Sequence, residues 1–81
     1  MLLETYLAKT PASLDELRRR VSNALQRHPL CRDIRFDVVG TPRSRKANWT
    51  INLHAVSSDA LFEAHEIVAD IQEAYELARL A

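Results

Sequence analysis

The stretch Trp49-Thr50-Ile51-Asn52-Leu53-His54-Ala55 alternates between apolar and polar residues without a break. Successive side chains of a strand point to opposite faces. Trp49, Ile51, Leu53 and Ala55 therefore share one face, and Thr50, Asn52 and His54 share the other. A second alternation, Ile34-Arg35-Phe36-Asp37-Val38, lies upstream and is followed by Gly40, the only glycine in the chain. Two such runs joined by the loop of residues 40–48 predict an antiparallel β-hairpin. With one apolar and one polar face, the hairpin is expected to be covered by helices on its Trp49/Ile51/Leu53 side alone.

Helical patterns stand on both sides of the hairpin. Ser13-Leu14-Asp15-Glu16 has the form of a capping box, in which the serine hydroxyl accepts from the Glu16 N–H. Leu14, Leu17, Val21, Ala24, Leu25 and His28 then recur at three-four spacing, and Pro29 closes the pattern. This predicts a helix over residues 14–27. Ser57-Ser58-Asp59 offers caps for a second helix, whose apolar stripe runs from Ala60 through Ala64, Val68, Ile71 and Tyr75 to Ala78. The reading is one helix of about 20 residues, roughly 30 Å long, that outreaches a two-stranded sheet. Residues 2–8 suit a short helical face or a strand.

The expected fold is α+β, a two-layer α-β-β-α unit in which two helices pack on one face of the hairpin. The chain has 81 residues and forms one domain, residues 1–81. A chain of this size buries only about 60% of the surface that its unfolded form exposes. Domains this small usually need a disulfide, a metal or a partner subunit. Cys31 is the lone cysteine, which excludes an internal disulfide and suits a reducing cytoplasm. Completion by homodimerisation is the expectation that remains. The first residues lack a basic region and a long apolar run, so neither a secretory signal nor a membrane partner is expected.

Net charge is zero, but it is unevenly distributed. Residues 1–46 carry ten bases and five acids, a balance of +5, and residues 47–81 carry one base and six acids, a balance of −5. Two candidate surfaces follow. Arg43, Arg45 and Lys46 in the hairpin loop, together with Arg35, Asn52 and His54 on the polar sheet face, form a candidate binding surface. Its basic tip suits phosphates. A sequence pI near 6.8 and the lack of aromatics on that face weigh against nucleic acid. Asp59, Glu63, Glu66, Asp70 and Glu73 recur at three-four spacing and form an acidic stripe suited to a complementary basic partner. The three consecutive arginines 18–20 span most of a helical turn and read as a solvated face able to share acids with that stripe.

No motif for chemistry is present in the sequence. It holds no HExxH, no Cys-x-x-Cys, no phosphate-cradling glycine loop and no GxxG clamp, and no clear final strand follows the second helix. Neither a cofactor nor a metal is expected. His28 reads as a cap at the helix C-terminus, and its nearness to Cys31 lacks a third orienting group for a thiolate-base pair. Asn48-Trp49-Thr50 matches the glycosylation sequon by chance. The expected function is a non-catalytic homodimeric module that binds another protein. Nucleic-acid binding through the loop is the second reading, and an enzyme site at a subunit interface is a distant third.

Overall fold

The computed structural model describes residues 9–42, 47–54 and 57–78. The element order is β1 (Thr10–Ala12), α1 (Leu14–Gln26), β2 (Arg35–Gly40), β3 (Trp49–His54), α2 (Ser58–Ala74) and β4 (Tyr75–Leu77). The fold is α+β: two helices, an antiparallel hairpin of β2 and β3, and a parallel pair of β1 and β4.

The hairpin keeps the predicted faces over its described residues; Ala55, expected on the inner face, lies outside them. Phe36 stands opposite Leu53 and Val38 opposite Ile51 on the inner side. Arg35 opposite His54 and Asp37 opposite Asn52 occupy the outer side. Trp49, Val38 and Ile51 are buried in one cluster with Leu17, Val21 and Leu25 of α1 and Ala64 and Val68 of α2. Both helices thus contribute their apolar stripes to the core that the inner hairpin face supplies.

Helix α1 begins at the serine half of its capping box; the Glu16 carboxylate, expected to reach back to the Ser13 N–H, binds Arg19 and Arg20 instead. Ser13 is extended, and its hydroxyl accepts from the Glu16 N–H at 3.1 Å. The helix ends at Gln26, one residue inside the predicted end, with Arg27 as C-cap, and the chain turns away before Pro29. Ser57 caps α2 in the same way, accepting from the Ala60 N–H at 3.2 Å.

The end of α2 corrects the sequence reading. Its apolar stripe predicts helix to Ala78, but the helix stops at Ala74 and Tyr75 turns extended, with φ −131° and ψ 145°. Tertiary partners outweigh helical periodicity there. The Trp49 indole N–H donates to the Tyr75 carbonyl at 3.1 Å, and the Ala78 N–H donates to the Ala12 carbonyl at 2.8 Å. Asn48 presents its side-chain amide to Leu77: Nδ2 donates to the Leu77 carbonyl and Oδ1 accepts from the Leu77 N–H, both at 3.0 Å. The amide thereby copies the donor–acceptor pair of a strand residue and joins the hairpin to β4. Gln72 Nε2 adds a bond to the Trp49 carbonyl at 2.7 Å.

A final strand therefore exists where none was expected, and the α-β-β-α order becomes β-α-β-β-α-β. Pro11 sits inside β1, which pairs with β4 on one side, a placement that a missing N–H tolerates. The alternatives raised for residues 2–8 lie outside the described residues. Among the described residues, no helix is long and apolar enough to cross a membrane.

Candidate functional site

Strand β2 pairs with β3 along one edge and with no other strand among the described residues. Opposed residues in an antiparallel ladder alternate between hydrogen-bonded and non-hydrogen-bonded pairs. The Thr41 N–H donates to the Asn48 carbonyl at 2.9 Å, which makes that pair hydrogen-bonded. Counting back by two, Val39–Thr50, Asp37–Asn52 and Arg35–His54 are hydrogen-bonded as well. The backbone N–H and C=O groups of Phe36, Val38 and Gly40 consequently point away from β3, to the open edge. The Trp49 carbonyl obeys the same parity, since it faces away from β2 and is taken by Gln72.

An open groove of about 580 Å³ lies beside this edge, lined by Arg18 and Ser22 of α1, residues 34–37 and His54. Of the sequence-predicted binding residues, Arg35, Asn52 and His54 share the exposed outer face of the hairpin. Arg43, Arg45 and Lys46 lie outside the described residues. Asp37 belongs to the same constellation and was not singled out from sequence. Its carboxylate meets His54 Nε2 at 3.1 Å across the ladder. The signal was present in the alternation itself, because Asp37 has the same parity as Arg35. Arg35 has no ionic partner among the described residues.

The charges of α1 are satisfied within α1. Arg18 binds Asp15 at 2.8 Å, and Arg19 and Arg20 both bind Glu16. Arg20 also lies 4.4 Å from the centroid of the Tyr75 ring, a cation–π contact between α1 and β4. The sharing of these arginines with the acidic stripe of α2 is therefore not found among the described residues, because neighbours one turn away are nearer. On α2, Glu63 lies 3.4 Å from His28. Asp59, Glu66, Asp70 and Glu73 are exposed and have no ionic partner among the described residues. Phe62 stands among them at 64% exposure.

His28 reaches α1 through its backbone N–H, which donates to the Leu25 carbonyl at 3.0 Å, and not through its ring. Its Nδ1 accepts from the Leu30 N–H at 3.2 Å, which leaves the proton on Nε2, facing Glu63. With Nδ1 so engaged, the ring is not a base for Cys31. The thiol is 1% exposed, and its sulfur lies 3.8 Å from the Ala60 carbonyl. Burial pushes the Cys31 thiol above its ordinary 9.0, and the Glu63 carboxylate adds to the rise. The sign follows from linkage. In the unfolded chain the thiol ionises first, so this contribution to stability is complete below pH 9.0 and is lost as pH rises beyond it. At pH 8, alkylation of Cys31 by iodoacetamide is expected to be at least about tenfold slower in the folded chain than in denaturant. Equal rates would refute a sequestered thiol.

Among the described residues, no three Cys, His, Asp or Glu side chains come together as a metal site requires. The Asn48 amide nitrogen of the sequon is engaged with Leu77 and the residue is buried, so it is not presented for glycosylation. The chain matches no protein-family model, no curated protein and no solved structure.

Proposed function

We propose that this chain is a non-catalytic cytoplasmic interaction module that works as a homodimer and binds another protein. The observation that carries the reading is the open edge of β2, with its outward backbone groups, an adjoining groove and Arg35, which has no ionic partner among the described residues. A two-stranded hairpin is marginal by itself, and a further strand on that edge satisfies its backbone groups while enlarging a thin core. A buried, unreactive thiol suits a reducing compartment.

The acidic face of α2 supports the second half of the proposal. Asp59, Glu66, Asp70 and Glu73 repel one another along the helix, and a basic protein surface relieves that repulsion. Phe62 adds an apolar contact at the same place. The nucleic-acid reading rests on loop residues that lie outside the described ones, and the exposed carboxylates oppose it.

The full chain is expected to sediment at micromolar concentration with about twice its 9.2 kDa mass. A Lys/Arg-rich peptide is expected to shift the amide resonances of residues 59–73 in an NMR titration. A folded monomer whose α2 resonances ignore the peptide would sink the proposal. Retention on duplex DNA that vanishes in the triple variant R43A/R45A/K46A would replace it with nucleic-acid binding.

A further inference from the structure

Resting on the homodimer reading, we infer that the open edge of β2 takes β2 of a second copy, antiparallel, with Phe36 on the two-fold axis. The self-complementary charge pattern Arg35-Phe36-Asp37 on that edge selects this register. Outward hydrogen-bonding groups belong to the even-numbered residues of β2, so only pairings of even with even residues complete a ladder. An axis at any residue of β2 satisfies that parity, and one at Val39 or Gly40 matches no opposite charges among the described residues. An axis at Arg35 sets two guanidinium groups opposite each other, and one at Asp37 sets two carboxylates opposite each other. Both oppose like charges, which is destabilising.

An axis at Val38 leaves Asp37 opposite Val39 of the partner subunit and Arg35 opposite Thr41 of the partner subunit, with no charge matched. An axis at Phe36 sets Arg35 opposite Asp37 of the partner subunit, and does so twice by symmetry. Those pairs fall at non-hydrogen-bonded positions, where side chains approach most closely. The half-buried Phe36 rings then meet on the inner face of a continuous four-stranded sheet, and the groove beside residues 34–37 gives the incoming strand its space.

The register makes a specific demand. Variant R35E carries two acids at these positions and variant D37R carries two bases, so each homodimer sets like charges opposite twice. A mixed dimer of the two matches opposite charges at both places. Each variant alone is expected to dimerise about tenfold more weakly than the wild type, and an equimolar mixture is expected to recover wild-type affinity as a heterodimer. The readout is sedimentation equilibrium, with native mass spectrometry to identify the mixed species. In the wild type, the Phe36 amide is expected to gain hydrogen-exchange protection as protein concentration rises, while the inward Val39 amide stays constant. Dimers of undiminished affinity in both variants would overturn this register and leave self-association standing. A folded wild-type monomer throughout the micromolar range would overturn the pairing and the homodimer reading together.

Discussion

Replacing Trp49 with alanine is expected to leave much of the protein unfolded at 25 °C. Trp49 is fully buried and is the largest side chain in the core. Truncating a buried aromatic to alanine costs about 3–5 kcal/mol, from lost transfer energy and the cavity left behind. The W49A change also removes the indole donor from the Tyr75 carbonyl, at the turn where α2 gives way to β4. Domains of this size hold only about 4–12 kcal/mol in total, at 0.05–0.15 kcal/mol per residue. One substitution thus removes a large part of the margin. Far-UV circular dichroism through a urea titration measures it directly. A loss below about 1 kcal/mol would show that the core collapses around the gap, contrary to this packing account.

The second large effect is expected at Asn48, in the variant N48D. The two side chains are nearly the same size, so packing is conserved while hydrogen bonding is not. Asparagine both donates to and accepts from Leu77, whereas a carboxylate only accepts. At neutral pH the Leu77 carbonyl would face a buried negative charge instead of a donor, at a cost of about 2–4 kcal/mol. The pH dependence separates this from generic damage. Burial beside a carbonyl raises the introduced carboxyl's folded pKa above the unfolded value, so the protonated acid, which regains a donor, is favoured in the folded state. The stability deficit relative to wild type is therefore expected to shrink as pH falls toward 4 and to grow as pH rises. Urea midpoints of both proteins at pH 4.5 and pH 7.5 test this. A deficit that does not change with pH would contradict the donor role of Asn48.

These two residues also show where sequence reading stops. Asn48 closes a basic loop and precedes a strand, which is the ordinary place for a solvated turn residue. Its function as a surrogate strand residue depends on Leu77 reaching it, and no local pattern encodes that meeting. Tyr75 and Ala78 fit the helical stripe of α2, yet both leave the helix, because Trp49 and Ala12 hold the backbone carbonyl of one and the N–H of the other. The candidate site was more legible. Arg35, Asn52 and His54 share a face because strand side chains alternate, and Asp37 follows by the same parity. The openness of the β2 edge was not legible, since it depends on which side of the hairpin the rest of the chain occupies.

Sequence alone determined the two capped helix starts, the end of α1 before Pro29, the hairpin and its inner and outer faces. Each depends on the geometry of a few neighbouring residues, so period, cap and proline suffice. The tertiary structure decided the C-terminal end of α2, the pairing of β1 with β4 and the retention of the α1 arginines on their own helix. At the end of α2 and in the β1–β4 pair, partners distant in sequence hold the backbone, whereas the arginines stay on α1 because acids one turn away lie nearer than the α2 stripe. The same division holds for the site: alternation places Arg35 and Asp37 on one face, and the packing of β3 against Gln72 and β4 leaves β2 as the edge that carries them.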